Sequence, residues 1–306
     1  MAERGSTVAS ALTGGDFEEY WDDVDRELAR YPAEPEFELL PLRQTAYATV
    51  YGVRLTSVGP YRIFGYYGVP VGDGPFPGLL VTPRYGSVNH VPHADDRERY
   101  AVLVLMHRGQ RLADQPFQAS YPGLLTLGID SPETYIYRGI VADCLRGAEF
   151  LLARPEVDQG RVGIAGDDLA LITAARRPRF AAVQGSALMF YRLMEACERT
   201  SAYPVEEVND ELRAAPERRE AVARTLALFD PARHASRIAA PTLLSAGDAG
   251  TVGGPEWLQP LLDALGGRGE LHTLTHEGAT DHDWFDAWMA RQLGATPLPR
   301  SWEVAG

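Results

Sequence analysis

The sequence predicts an α/β fold: a mostly parallel, doubly wound sheet with helices on both faces. Two observations predict it. Short, continuously apolar runs such as GLLVTP (78–83), YAVLVLMH (100–107) and PTLLSAGD (241–248) alternate with longer segments of helical spacing, as parallel strands buried on both faces require. RVGIAGDDLALITAARRP, residues 161–178, then reads as strand, tight turn and helix in immediate succession, the unit from which such sheets are built.

Residues 1–15 are small and polar, so a disordered N-terminus is expected there. One domain is expected over 16–306, because no linker, low-complexity tract or repeat interrupts it. In FEEYWDDVDRELARYP, Phe17, Tyr20, Trp21, Val24 and Leu28 recur at helical spacing, and Pro32 ends the run. Residues 46–58 and 61–69, rich in Val, Tyr, Thr and Ile and parted by Gly59 and Pro60, predict two antiparallel strands. After GDGPFPG come the strands at 78–83 and 100–107, a helix over 133–153, a strand at 162–165 and a helix from Leu169 to Arg177 stopped by Pro178. The chain then predicts a strand within 180–189, a charged helical stretch over 205–228, a strand at 241–248 and a helix at 254–267. A last strand within 270–278 and a closing helix over 283–294 complete the order.

Bulk properties narrow the function. A formal charge of −13 and a pI near 5.0 argue against nucleic acid, whose binding draws its affinity from clustered Lys and Arg. The N-terminal stretch has no apolar signal core and no segment is long enough to span a bilayer, so a cytoplasmic protein with no membrane partner is expected. Cys144 and Cys197 fall in stretches of helical spacing, which suits a reducing compartment and gives no disulfide framework. No dinucleotide-binding GxGxxG follows an early strand and no Walker sequence occurs, so no cofactor is expected. NHVPH places His90 and His93 in a bent loop, and Asp281–Asp283 read DHD. The bent loop offers no rigid ligand face, surface or supporting roles are expected for both stretches, and no metal is expected.

Three stretches carry a resemblance. RGQ at Arg108–Gln110 follows a strand, YPGLLTLGIDSPETYIYRGIVADCLRGAEFL (121–151) runs into a helix, and PEVDQGRVGIAG (155–166) leads up to the turn. With the N-terminal helix, these resemble the α/β-hydrolase fold and, within it, the acetylxylan esterase and cephalosporin-C deacetylase family, over most of residues 17–293. The resemblance implies that fold and a Ser-His-Asp triad, in which an imidazole takes the proton of a weakly nucleophilic hydroxyl. In register, Asp168 stands at the serine position within Gly166–Ala170, and His276 in THEG matches the histidine. The expected acid position holds Gly250, with Asp248 two residues before it. For the oxyanion region the resemblance points to PRYGS, with Tyr85 at the tyrosine position and Arg84 before it, and to the backbone amide of Leu169. His107, Arg108 and Gln110 complete the implied substrate-binding set.

These residues leave three readings. In one, Asp168 is a nucleophile whose ester intermediate is cleaved by water activated by His276, with Asp248, Glu277 or Asp281 orienting the ring. In a second, Asp168 and His276 are acid and base in an elimination, isomerisation or cyclisation. In the third, the fold is catalytically silent and serves as a binding or scaffold protein. The working expectation is a hydrolase-like or lyase-like enzyme acting on a small oxygenated substrate through Asp168, His276 and Asp248, with the inactive protein as the alternative. Asp167 is expected to cap the helix that follows. Phe190, Tyr191, Trp257 and Trp284 are expected to wall a partly apolar pocket. Relatives of the kind implied often form ring-like oligomers, so homo-oligomerisation is left open.

Overall fold

A computed structural model of the chain describes residues 13–247, 252, 254–276 and 278–298. Nine strands form one sheet: β1 (Glu36–Leu39), β2 (Ala48–Thr56), β3 (Arg62–Pro70), β4 (Phe76–Val81), β5 (Ala101–Met106), β6 (Val157–Gly166), β7 (Ala182–Gly185), β8 (Thr242–Ala246) and β9 (Gly269–Thr273). Their order across the sheet is β1-β2-β3-β5-β4-β6-β7-β8-β9. Antiparallel pairing joins β1, β2, β3 and β5, and every pair from β5 through β4 to β9 is parallel.

Both faces of the parallel part are buried, which is why its strands read as unbroken apolar runs. Along β5, Leu103 and Leu105 point into the larger core, while Val102 and Val104 point into the smaller one on the opposite face. The larger core packs against α1 (Gly14–Ala29), α3 (Ile136–Leu152), α4 (Asp168–Arg176) and α8 (Pro255–Ala264). The smaller packs against Trp288, Met289 and Leu293, at and just beyond the end of α9 (Gly278–Gln292). This is the α/β-hydrolase arrangement of a mostly parallel sheet with helices on both sides. Among the described residues, no helix is long and apolar enough to cross a membrane.

The N-terminal helix begins earlier than its apolar spacing predicts. Thr13 accepts from the Asp16 amide (3.3 Å) while the Asp16 carboxylate accepts from the Thr13 amide (3.1 Å), a capping box that draws Gly14 and Gly15 into α1. Of the disorder expected over 1–15, Thr13–Gly15 are instead part of this ordered helix start, and residues 1–12 lie outside the described residues. Phe17, Trp21, Val24 and Leu28 form the buried stripe of α1, the aliphatic and Phe side chains each contributing roughly 1.5–3 kcal/mol on burial.

Three other expectations shift. The strand expected within 180–189 is only four residues long, after which the chain leaves the sheet at Ser186. The helical stretch 205–228 is split into α6 (Val205–Ala214) and α7 (Arg219–Ala227) around Pro216, which cannot donate within a helix. The exposed strand β1 and two short helices, α2 (Ala94–Arg99) and α5 (Leu193–Ala196), carry too little periodic burial to be read from sequence.

Candidate active site

Ligands of open α/β sheets bind outside the carboxyl ends of the strands, and there this fold holds a cavity of about 180 Å³. Arg84 and Tyr85 reach it from the loop after β4, Asp167 from the end of β6, Leu188 and Met189 from the segment after β7, and Trp257 from α8. Apart from Asp167 and Arg84, the wall is apolar, aromatic or hydroxyl-bearing.

The turn at Asp167 explains the site. Gly166 must be glycine, because a Cβ there would stand 1.9 Å from Thr82 Oγ1. Asp167 follows as the N-cap of α4, its Oδ1 accepting from the Leu169 amide at 2.9 Å, as the sequence predicts. A nucleophile elbow is a strained turn that lifts the residue at its tip out of the sheet. Neither Asp167 nor Asp168 has a positive φ, and Asp168 is the first residue of an ordinary helix.

The consequence is a displacement by one residue. The sequence reading puts the pocket carboxylate at Asp168; the structure puts it at Asp167, which lines the cavity. The Asp168 side chain is fully buried beneath. Its Oδ2 accepts from the Met189 amide at 2.5 Å, the Phe190 amide also donates to the carboxylate, and Oδ1 receives no hydrogen bond. Burial and the neighbouring Asp167 charge push the Asp168 carboxyl well above the usual range. Burial also raises Asp167, to about 6, against the opposing pull of the Leu169 amide and the Arg84 charge. The Leu169 amide, read from sequence as an oxyanion donor, is occupied by the chain's own carboxylate.

Tyr85 is likewise committed. Its hydroxyl donates to Oε1 of Glu207, whose Oε2 accepts from the amides of Gly123 (2.8 Å) and Leu125 (3.3 Å). Burial and that carboxylate raise the phenol strongly. Tyr85 therefore walls the cavity without a free hydroxyl to offer an oxyanion.

The RGQ stretch supports the site from behind. Gln110, fully buried, donates to the carbonyls of Arg84 (3.0 Å) and Gly86 (2.6 Å) and accepts from His107 N (3.1 Å), so it holds the loop that carries Arg84 and Tyr85. Arg108 forms a fork on Asp143 of α3, through Nε (3.0 Å) and Nη2 (2.8 Å), and stacks over Tyr61. His107 is buried, its Nδ1 2.6 Å from Arg108 O, and desolvation lowers its pKa to about 4. None of the three lines the cavity, so their implied substrate contact becomes a positioning role.

His276 is the other member of the expected pair. Its residue is exposed, with φ +62°, and its Nε2 is 3.9 Å from where a Cβ on Gly247 would stand. Among the described residues no hydrogen bond joins it to Asp168, and it is not part of the cavity wall. Asp281 accepts from the His276 amide (3.1 Å) and pairs with His272 Nε2 (2.8 Å), so it orders the backbone before α9 and not the His276 ring. Hydrogen bonds from His272 and Thr275 hold Asp281 down to about 2. Asp248, Gly250 and Glu277 lie outside the described residues. No group of three or more potential metal ligands occurs among the described residues.

Of the aromatic residues, Tyr191 and Trp257 line the cavity, whereas Phe190 packs on Tyr137 in the core and Trp284 stacks on His272. Sequence reasoning missed Glu207 and Ser186. Nothing marks Glu207 among its charged neighbours, and Ser186 enters the wall only because β7 ends one residue before it.

The comparisons agree on the fold. The structure superposes on the acetyl xylan esterase from Paenibacillus sp. R4 with a TM-score of 0.78 and 26% identity, covering 92% of this chain and 95% of that one. The acetyl xylan esterase 1 from Thermoanaerobacterium sp. JW/SL YS485 gives 0.77 at 22% identity, over 90% and 93% of the two chains, a likeness of fold. The acylaminoacyl peptidase of Pyrococcus horikoshii shares the fold at a TM-score of 0.55 and 17% identity, over 86% of this chain and 45% of that one. The acetyl xylan esterase (AXE1) family matches residues 9–278, and the chain belongs to that family.

Proposed function

We propose that this chain is a member of the acetyl xylan esterase family that uses its cavity to bind a small molecule and does not run serine-type acyl transfer. One observation carries the reading: the Asp167 carboxylate sits on the Leu169 amide, where an esterase needs a free donor for the developing oxyanion. The position in register with the family's serine supports it further. Asp168 points into the core and holds the Met189 amide, so acting as a nucleophile would require it to abandon that bond and cross the cavity wall.

The test is acetate release from acetylated xylan and from p-nitrophenyl acetate. No turnover above the uncatalysed rate is expected. Multiple turnovers that disappear in Asp168→Asn would overturn the reading and restore Asp168 as a catalytic group.

A second reading rests on Asp167. A cavity carboxylate raised to about 6 suits a general acid or base near neutral pH, so elimination or cyclisation of a small oxygenated substrate, without a covalent step, is the competing proposal. Loss of such an activity in Asp167→Asn, at unchanged Asp168, is its signature. The free thiols Cys144 and Cys197 support a cytoplasmic setting.

A further inference from the structure

We infer that the cavity takes a compact zwitterion: a protonated amine on Asp167, a branched or single-ring apolar body against Leu188, Met189, Val205 and Trp257, and an anionic group facing Arg84. The inference rests on the proposal that the cavity is a binding site, and it names the ligand class.

Asp167 is 8% exposed, and its partners are backbone amides alone, those of Leu169 and Asp167 itself. Among the described residues no side chain donates to it and no cation lies within ion-pair distance. A carboxylate so placed loses solvation without gaining a counter-ion, which is costly. A neutral hydroxyl would supply a hydrogen bond and leave the charge; an ammonium group supplies both. Burial shifts the carboxyl to about 6, so at neutral pH the group is largely ionised and ready for a cation.

The body of the ligand is set by the wall and by size. A cavity of about 150 Å³ with apolar walls holds benzene, so one of about 180 Å³ admits a single ring or a branched alkyl group. The anionic end is set by Arg84, an exposed guanidinium on the wall that makes no ion pair among the described residues yet contributes to the potential at Asp167. Arg192 and Arg199 cover the Trp257 ring from outside, their guanidinium carbons 4.1 and 4.6 Å from its centroid.

The experiment is calorimetric titration of the full chain at about pH 7.5 with three probes of one shape: phenylalanine, hydrocinnamate, which lacks the amine, and phenethylamine, which lacks the carboxylate. Phenylalanine is expected to bind tightest, and removal of the amine to weaken binding at least about tenfold. Asp167→Asn, which keeps a side-chain acceptor for the Leu169 amide, should weaken phenylalanine and phenethylamine by a similar factor and leave hydrocinnamate within about threefold. Arg84→Gln should weaken phenylalanine and hydrocinnamate and spare phenethylamine. Lowering the pH of the wild-type titration to about 5 should weaken the two amines as Asp167 takes up a proton, a readout that does not depend on any variant folding. Hydrocinnamate binding as tightly as phenylalanine, an indifferent Asp167→Asn, or no binding of any probe would each overturn the zwitterion. Binding without amine discrimination leaves the binding-site proposal standing, whereas acetate turnover that disappears in Asp168→Asn overturns that proposal independently of these titrations.

Discussion

Replacing Asp167 by Asn tests the electrostatics of the cavity. Asn caps helices about as well as Asp, so the bond to Leu169 survives and the titratable charge is removed. Burial raises the Asp167 carboxyl from 3.8 to about 6, so between those values the folded chain holds a proton that the unfolded chain has released. The stability of the wild type therefore falls as pH rises through that window, by up to about 3 kcal/mol at 1.36 kcal/mol per pH unit. Of this, about 2 kcal/mol lies between about pH 4.5 and about pH 7.5. Urea unfolding of both proteins at the two pH values reads the effect of the Asp167–Asp168 pair, because titrating groups outside that pair cancel in the difference between them. Asp167→Asn should gain about 2 kcal/mol on the wild type as the pH is raised. A difference that stays constant across the range would mean that Asp167 is solvated like a surface carboxylate, and the argument from its burial would fail with it.

Two further outcomes follow from the supporting residues. Gln110→Leu removes hydrogen bonds to Arg84 O, Gly86 O, His107 N and Asn89 Nδ2, leaving buried polar groups unpaired, and should cost about 3–5 kcal/mol in urea unfolding; a loss under about 1 kcal/mol would show that the 84–89 loop is held by other means. His107 and His234 are buried and neutral, with desolvation lowering them to about 4 and about 3. Below about pH 6.5 the unfolded chain binds protons that these two do not, so together they withdraw up to about 4 kcal/mol of stability by about pH 5. His234→Gln should flatten that acid limb by about half, and an unchanged slope would count against a neutral His234.

Much of the architecture was legible because both cores impose their period on the chain. The apolar runs at 79–81 and 101–106 and the stripe of Phe17, Trp21, Val24 and Leu28 declare their own environment. The Asp167 cap was legible too, since capping is a local matter. The site was not, and the reason is specific. Register with a family motif gives the position of Asp168 along the chain, but the direction of a side chain at an elbow depends on whether the turn is strained, and backbone strain has no sequence signature. Arg108 shows a different limit: its motif is conspicuous, but its partner Asp143 lies in the next helix. A single carboxylate inside the apolar stretch IVADCL was the available sign of a buried basic partner. Glu207 had no sign at all, since only the tertiary approach of α6 to the loop after β4 gives it Tyr85 as a neighbour.

The aspartate at position 168 has its own structural logic. The segment after β7 carries left-handed, non-glycine backbone at Ala187 (φ +51°) and Arg192 (φ +51°), conformations that cost free energy and persist only where the surroundings enforce them. Between them lie Met189 and Phe190, whose amides donate to the Asp168 carboxylate, and Leu188, Met189 and Tyr191 form part of the cavity wall. A buried carboxyl group that accepts from backbone amides anchors them, because those donors would otherwise be buried unpaired, and it holds the segment on which the strain sits. A serine at that position has a shorter side chain and one hydroxyl, so it could not accept both amides in the same place. Unstrained backbone at the turn, strained backbone at the wall and an inward-facing Asp168 together hold the shape of the cavity wall.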